Sequence, residues 1–308
     1  MRLRPLLLAP CAFAKSFIFS DIIALPGGRW MGQDIKVEPG TKVDLKDYDP
    51  DFTGKYKNEQ ETLEELQKIK DKLFDLQQLL YADNRFSLLI VIQAMDAGGK
   101  DGLIRSVMAA FNPQGCTVVP FKVPSEEERD HDYLWRIHKV LPRKGEICIF
   151  NRSHYEEVLV VRVHGLVPKD VWKARYDQIN DFEKYLSENN VVIRKFYLHI
   201  SKKEQEERMM KRLLDPKKNW KFSSGDLEER NHWGEYMEAF EDLLSRTSTK
   251  LAPWYIVPAD NKWYRNLVVA RVLVDTLESL NMKWPEPTPE VKELAKKAQL
   301  TGRLPEVQ

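Results

Sequence analysis

The stretch "SLLIVIQAMDAGGKDG", residues 87–102, is a run of apolar residues followed by two adjacent glycines and a lysine. A buried strand that leads through such a turn into a helix surrounds phosphate oxygens with backbone N–H groups and a helix N-terminus. Gly98 and Gly99 let the backbone curl, and Lys100 adds a point charge suited to phosphate. The stretch therefore predicts a phosphate-binding loop in an α/β fold.

The loop departs from the usual pattern G-x-x-x-x-G-K-[ST], because Ala94 and Asp101 replace its first glycine and its hydroxyl residue. Asp96 adds a second carboxylate, and on a solvated surface both aspartates would be turn formers. Beside phosphate, a Mg²⁺ ion would remove the repulsion, since hard divalent cations bind carboxylate and phosphate oxygens together. We predict that Asp96 holds Mg²⁺ or orients an attacking nucleotide phosphate. Asp101 either replaces the missing hydroxyl or caps the helix.

Five apolar or β-branched runs alternate with helical patterns along the chain. Strands without strict alternation, separated by helices, indicate a parallel sheet covered on both faces. We therefore predict a doubly wound α/β fold with a five-stranded parallel sheet. The runs are "LLIVIQA" (88–94), "CTVVPFKV" (116–123), "EICIF" (146–150), "VVIRKFYLHI" (191–200) and "WYIVPA" (254–259).

Residues 58–84 carry apolar side chains at spacings of three and four, which predicts a long amphipathic helix near the N-terminus. We favour packing of this helix against the main domain over a subunit contact. Ser201 and Glu204 predict a capping box at the start of a later helix. The other predicted helices follow Lys100 and cover residues 126–141, 168–190, 202–214 and 262–281, with a short polar helix near the end of the chain.

The fourth and fifth predicted strands are about fifty residues apart, which is too long for a simple crossover. We interpret the interval as two helices that flank a mobile turn around residues 215–225, and predict a lid at about 205–235. A proline-rich exit, "KWPEPTPE", follows the last helix of the domain. The predicted organisation is an N-terminal extension (1–54), a main domain (55–285) and a C-terminal tail (286–308).

Composition excludes several classes of protein. Lys and Arg number 48 against 47 for Asp and Glu, so net charge favours neither a nucleic-acid nor a membrane partner. Three cysteines without close spacing argue against disulfides and zinc knuckles and favour a reducing compartment, the cytoplasm. The first 30 residues resemble an export signal, but the apolar run is short and broken by prolines. We favour a start codon assigned too far upstream, and expect no membrane span elsewhere.

The third predicted strand runs into "FNRSHYEEVL", residues 150–159, at the sheet edge where α/β folds bind ligands. Many phosphate-loop kinases place an acidic residue here to order Mg²⁺. Asn151 stands there in this chain and can offer a weaker metal contact or an amide hydrogen bond. Arg152 offers a planar fork suited to phosphate.

Residues 202–221 contain eight basic side chains against four acidic ones. Arg208 and Arg212 are four apart, hence on one helix face, and could both turn toward an anion. The alternative is a solvated helix with pairs such as Glu204–Arg208. Next to a phosphate loop, we favour an arginine-bearing lid. A zinc site on the histidines at 131 and 138 is not expected, because no third ligand accompanies them.

Three motifs occur in order within residues 55–285, and together they resemble the polyphosphate kinase 2 family. This family transfers phosphate between inorganic polyphosphate and nucleotides. The reading "NRSHY" in the second motif resembles the branch that accepts both AMP and ADP. The motifs are "DAGGKDGLIR" (96–105), "FNRSHYEEVLVVRV" (150–163) and "SKKEQEERMMKRLLDPKKNWKFSSGDL" (201–227).

The resemblance implies a P-loop kinase-like fold, Mg²⁺ as cofactor, a homo-oligomer and reversible in-line transfer to a nucleoside mono- or diphosphate. Asp96 then activates the acceptor nucleotide and helps hold Mg²⁺, and Lys100 contacts the transferring phosphate. Arg152 and Arg212 are implied as further catalytic residues, and Asn151 as a nucleotide and metal ligand. The residues implied for nucleotide and phosphate binding also include Arg152, Gly98, Gly99, Arg208 and Arg212, with Arg105 and Lys122 as weaker candidates for the polyphosphate channel.

Two other functions remain open at this point. A conventional ATP-dependent nucleotide or small-metabolite kinase would share the loop and the lid. A nucleic-acid-binding protein could use the basic segment 202–221, although the acidic residues within it make duplex binding weak.

Overall fold

The predicted five-stranded parallel sheet is confirmed in the computed structural model, which describes residues 29–30 and 33–305. The strand order is β2-β3-β1-β4-β5, and every neighbouring pair is parallel. The interpretations of the first 28 residues, as an export signal or as a start codon assigned too far upstream, lie outside the described residues. The strands are β1 (Ser87–Gln93), β2 (Cys116–Pro120), β3 (Ile147–Asn151), β4 (Val191–His199) and β5 (Trp254–Pro258).

Helices cover both faces of the sheet, as the apolar strands require. Within the described part of the chain, none is long and apolar enough to cross a membrane. The first group is α1 (Leu63–Asp83), α2 (Lys100–Ser106), α3 (Glu126–Asp130), α4 (Trp135–His138), α5 (Val160–Val163) and α6 (Lys169–Glu188). The second is α7 (Lys202–Leu214), α8 (Ser224–Asn231), α9 (Trp233–Thr247), α10 (Lys262–Ser279) and α11 (Pro289–Thr301).

Strand β1 lies at the centre of the sheet because its side chains are apolar toward both helical layers. Residues 88–92 are fully buried, and they separate two cores. One core contains α1, α2 and α10, and the other contains α6 and α9. Leu66, Ile69 and Leu73 of α1 are buried in the first core, which confirms that α1 packs against the main domain.

Part of the predicted N-terminal extension is packed onto the domain. The Val37 N–H donates to the Trp254 carbonyl (2.9 Å), and the Ile256 N–H donates to the Ile35 carbonyl (2.7 Å). This segment therefore covers the exposed edge of β5, a common way to protect an edge strand. A short antiparallel pair, Arg29–Trp30 with Gln33–Asp34, precedes it.

The continuous helix predicted for residues 126–141 is wrong, because the chain forms two short helices there, α3 and α4. Ser125 caps α3, and the Asp132 carboxylate accepts from the Leu134 N–H (2.9 Å), a local turn that competes with helix. His131 lies just after α3 with an extended backbone, and His138 is the last residue of α4, so the histidines at 131 and 138 do not share a helix face.

Two details of the interval between β4 and β5 also differ from prediction. It holds three helices, α7, α8 and α9, rather than two. The capping box at the start of α7 is only half formed. The Ser201 hydroxyl accepts from the Glu204 N–H (3.0 Å), but the Glu204 carboxylate pairs with Arg208 (2.7 Å) and the Ser201 N–H donates to Asp260 (2.8 Å).

Candidate active site

The glycine turn after β1 has the backbone of an anion-binding loop. Ala97 (φ 59°) and Gly99 (φ 100°) are left-handed, and alternation of left- and right-handed residues points successive N–H groups into one concavity. Gly98 cannot carry a side chain, since a Cβ there would lie 2.7 Å from the Ala94 Cβ. The concavity opens at the N-terminus of α2, where backbone N–H groups have no intrahelical acceptors.

Lys100, the first residue of α2, turns back over this loop. Its Nζ donates to the carbonyls of Ala94 (2.8 Å) and Met95 (3.3 Å). Burial, and then the neighbouring Arg152 guanidinium, lower the pKa of Lys100 to about 8. The ammonium is therefore held at the loop by weak neutral acceptors, which a phosphate oxygen can replace.

The second predicted motif lies beside the loop, because β3 and β1 are neighbours in the sheet. The Arg152 Nη2 donates to the Asp96 carboxylate at 2.8 Å. Arg152 has a left-handed backbone (φ 62°), and its N–H donates to the Ile92 carbonyl (3.1 Å). The structure thus brings together Asp96, Lys100 and Arg152 from two segments fifty residues apart.

Asp101 is exposed on the first turn of α2 and accepts from the Asn151 side-chain amide at 2.9 Å. It does not cap α2, because the N-cap residue is Gly99 and no side chain caps that end. The helix-cap alternative for Asp101 is therefore wrong. Asp101 and Asn151 instead form a polar link between the two motifs.

Two carboxylates of the site were missed from sequence. Glu156 follows β3 on a short 3₁₀ turn, where burial raises its pKa while Arg152 and Lys100 oppose the rise. Asp226 lies on α8, and its pKa is raised by burial and by nearby Asp96. Glu156 and Asp226 both lie in charged stretches of sequence that look like the stretches found on solvent-exposed surfaces. Only the fold shows that Glu156 lies near Arg152 and Lys100, and Asp226 near Arg212.

A buried polar cluster supports the second motif from behind. The Lys195 ammonium donates to the Glu183 carboxylate (2.6 Å), the Tyr155 hydroxyl (2.8 Å) and the Thr247 carbonyl (2.6 Å). The Tyr155 hydroxyl donates to Glu183 (2.7 Å), and His154 lies 3.4 Å from the same carboxylate. Ser153, His154 and Tyr155 of "NRSHY" are buried. They anchor Asn151 and Arg152, which precede them at the ligand-binding edge of the sheet.

The interpretation that Arg208 and Arg212 both turn toward an anion is not supported for Arg208. Its guanidinium is buried and bonded to the Glu204 carboxylate (2.7 Å) and to four backbone carbonyls, two of them in the loop, at Ala97 (3.3 Å) and Gly98 (3.2 Å). Arg212 lies half-buried on the same helix, near Asp226. Arg208 thus binds backbone carbonyls, whereas Arg212 lies near a carboxylate.

The two weaker channel candidates lie apart from the loop. Arg105 is exposed and borders a groove of about 370 Å³ between α1 and α2, with Lys70 and Phe74 opposite. Lys122 is exposed just beyond β2, where the neighbouring Phe121 N–H donates to the Asn151 carbonyl at 3.0 Å. Lys122 is therefore at the ligand edge, whereas Arg105 faces the outer surface.

The donor set at the loop fits a hard divalent cation. Asp96, Asp101 and Asn151 offer oxygen ligands at one edge, and Mg²⁺ usually takes one or two carboxylates and completes its shell with water and substrate phosphate. Over residues 29–30 and 33–305, no group of three His, Cys, Asp or Glu side chains could hold a metal by itself. A cation there would therefore depend on the ligand for part of its shell.

Comparison with known proteins decides the family. The model of the family "Polyphosphate kinase 2 (PPK2)" matches residues 56–285, which contain the loop, the second motif and helices α7 and α8. The chain belongs to the polyphosphate kinase 2 family. Like other members, this polyphosphate kinase 2 chain is built on an α/β fold with a five-stranded parallel sheet, so the predicted fold class is confirmed.

The regions matched in close relatives of this polyphosphate kinase 2 chain span nearly the full length of those relatives. An AMP/ADP-polyphosphate phosphotransferase of Meiothermus ruber is 51% identical over 82% of this chain and 95% of that protein. An ADP-polyphosphate phosphotransferase of Rhodopseudomonas palustris is 48% identical over 83% and 93%. The crystal structure of polyphosphate kinase 2 from Arthrobacter aurescens TC1 superposes with a TM-score of 0.83 at 38% identity, over 92% of this chain and 100% of that one.

Proposed function

We propose that the chain transfers a phosphoryl group from inorganic polyphosphate to AMP and ADP, reversibly, with Mg²⁺ and in the cytoplasm. The observation that carries the proposal is the ion pair between Asp96 and Arg152, which joins the phosphate loop to the second motif beside Lys100. The names of the relatives from Meiothermus ruber and Rhodopseudomonas palustris support this substrate class. The free thiols of Cys116 and Cys148 support a reducing compartment.

The metal is assigned to the carboxylate side of the loop. Asp96 would hold Mg²⁺, with Asn151 and Asp101 next to it, and the ion would neutralise charge on the phosphate oxygens. The Asn151 amide donates to Asp101, so its oxygen remains directed elsewhere and can serve as a ligand.

The residues of the chain supply positioning and charge. The loop N–H groups and Lys100 bind the terminal phosphoryl group of polyphosphate, and Arg152 orients the acceptor nucleotide phosphate next to it. An oxygen of that phosphate attacks the terminal phosphorus, and the bond to the preceding phosphate of the polymer breaks. The nucleophile is already an anion, so no protein base is needed, and charge stabilisation supplies most of the acceleration.

A direct assay tests this function against the ATP-dependent alternative. Purified protein is incubated with ADP, polyphosphate and Mg²⁺ in the absence of any other phosphoryl donor, and we expect ATP as product. Parallel reactions with AMP, GMP and GDP, resolved by chromatography, define the acceptor. Absence of product with polyphosphate, together with phosphorylation of AMP by ATP, would instead identify a conventional nucleotide kinase.

The proposal also includes a homo-oligomer and no nucleic-acid partner. The outer face of α1 exposes Leu63, Phe74 and Tyr81 by 44, 42 and 64%, and exposed apolar side chains on one helix favour a subunit contact. Light scattering on the purified protein measures the mass in solution, and a monomer would contradict this part. Binding to duplex DNA at physiological salt is expected to be weak.

A further inference from the structure

Four carbonyl groups of the phosphate loop are held by side chains of α7 and α10. The carbonyls of residues 96–99 accept hydrogen bonds from side-chain nitrogens of Gln205, Arg208 and Arg265. The Gly98 N–H closes the turn onto the Met95 carbonyl (3.0 Å), so the N–H groups left for a ligand are those at the N-terminus of α2, which have no intrahelical acceptors. Donors from α7 and α10 therefore pre-organise the loop.

Arg265, on the first turn of α10, is the donor that sequence motifs did not indicate. Its side chain is 1% exposed, and its Nη1 donates to the Gly99 carbonyl at 3.2 Å. A Cβ on Gly99 would lie 2.2 Å from this nitrogen, so the glycine makes room for the guanidinium as well as for its own left-handed backbone. The arginine and the glycine thus fit each other.

The charge of Arg265 has no carboxylate partner among its recorded bonds. Its Nε (3.2 Å) and Nη2 (2.7 Å) both donate to the neutral side-chain oxygen of Asn266. Arg208 pairs with Glu204, and Arg271, further along α10, pairs with Glu65. Burial, and then Arg208, lower the pKa of Arg265 to about 9. A buried cation without a counter-ion destabilises a fold, so its retention calls for a compensating anion.

We propose that Arg265 is a positioning residue of the phosphate site, and that phosphate bound on the open side of the loop supplies the counter-charge that the protein withholds from this guanidinium. Arg265 holds the Gly99 carbonyl away from the ligand and adds positive potential behind the loop N–H groups. The Arg265 cation lowers the stability of the ligand-free protein and raises the affinity of the loop for phosphate. The inference rests on the proposed function, because it takes polyphosphate as the phosphate ligand.

Replacement of Asn266 by Asp tests the charge without removing the arginine. Asn266→Asp keeps the shape of the side chain and gives Arg265 a carboxylate on two of its nitrogens, while the Ser106 hydroxyl, 3.0 Å away, can donate to the new oxygen. We expect a higher unfolding midpoint without ligand. The dissociation constant for polyphosphate, measured by calorimetry, should rise about tenfold, which corresponds to about 1.4 kcal/mol.

Substitutions of Arg265 itself separate charge from packing. Arg265→Met should raise KM for polyphosphate more than it changes kcat, whereas Arg265→Lys should restore most of the affinity. Arg194→Met is the matched control, because Arg194 is a half-buried arginine that donates to the Thr276 hydroxyl and the Ile193 carbonyl, away from the loop. Asn281→Asp, beyond the end of α10, controls for the added charge.

The outcomes are distinguishable. An unchanged dissociation constant, or a lower unfolding midpoint, in Asn266→Asp would overturn the proposal even if Arg265→Met does not fold. An equal loss of affinity in Asn281→Asp would overturn it as well, since the effect would then be nonspecific. Failure of the parent protein to bind polyphosphate would overturn the proposed function together with this inference.

Discussion

At the scale of single residues, the site is defined by charges that meet from separate segments. Asp96 and Arg152 form an ion pair, and Lys100 lies over the loop with a lowered pKa. Glu156 adds a half-buried carboxylate whose pKa is raised by burial and lowered by the Arg152 and Lys100 cations. These groups balance one another in the ligand-free protein, so a phosphate that binds Lys100 or Arg152 must displace their existing partners.

Substitution of Lys100 by Met tests the loop lysine. We expect a loss of about 10²–10³-fold in kcat, because one pre-organised donor to the transferring phosphoryl group is removed. Lys68→Met is the matched control, since Lys68 is exposed on α1 and pairs only with Glu64 in the recorded bonds. Near-normal turnover in a folded Lys100→Met protein, confirmed by circular dichroism, would contradict the role of the loop.

The pH dependence of polyphosphate binding follows from the same lysine. A lysine with a pKa of about 8 is cationic below that pH and neutral above it. KM for polyphosphate should therefore rise between pH 7.5 and about 9, with a smaller change in kcat because bound phosphate keeps the lysine protonated. Initial rates across this range measure the effect, and a KM that stays flat to pH 9.5 would argue against it.

At the scale of elements, α7 and α10 act as supports for the loop and β3 carries the second motif. The Gln205 side chain on α7 donates to the Asp96 carbonyl at 2.9 Å, and Arg230 on α8 donates to Gln205 (2.7 Å) and Glu206 (2.7 Å). Helices α7 and α8 are thus connected to the loop through a chain of polar contacts. We therefore expect a shift of α7 or α8 to move the loop backbone at Asp96.

The pair of Glu183 on α6 and Lys195 on β4 tests how far the second motif depends on its support. Burial lowers the pKa of Lys195 and the Glu183 carboxylate raises it, and the net change is a lowering. The attraction of Glu183 therefore offsets only part of the cost of burying the ammonium. Glu183→Leu should lower the free energy of unfolding by about 3–5 kcal/mol, because it leaves a buried ammonium unpaired.

The double variant Glu183→Leu with Lys195→Met should recover much of that stability, since no buried charge remains. Urea unfolding of the two variants measures the difference. A double variant no more stable than the single one would contradict this account, since the unpaired ammonium would then not be the source of the loss.

At the scale of the whole molecule, the order β2-β3-β1-β4-β5 puts the carboxyl ends of β1 and β3 side by side. In open α/β sheets, ligands bind at the carboxyl edge where the strand order reverses. The loop after β1, the second motif after β3 and the helices after β4 therefore meet at one edge although they are far apart in sequence.

Removal of divalent metal should abolish activity without unfolding the protein. In the part of the chain that the structure describes, no three acidic, His or Cys side chains form a metal cluster, and we expect the ion to act in catalysis rather than in folding. EDTA should therefore eliminate ATP formation from ADP and polyphosphate and leave the unfolding midpoint unchanged, and added Mg²⁺ should restore turnover. A large drop in the midpoint on chelation would indicate a structural metal instead.

The amino-acid sequence by itself determined the order of strands and helices, the long α1 and the glycine loop with Lys100, because these depend on local periodicity and turn chemistry. It also indicated the family through three ordered motifs. Only the tertiary structure decided which polar residues serve the site. It turned Arg208 inward onto carbonyls, paired Asp101 with Asn151 and revealed Glu156 and Arg265. The reason is that the partner and burial of a charged side chain are set by distant segments that local sequence does not specify.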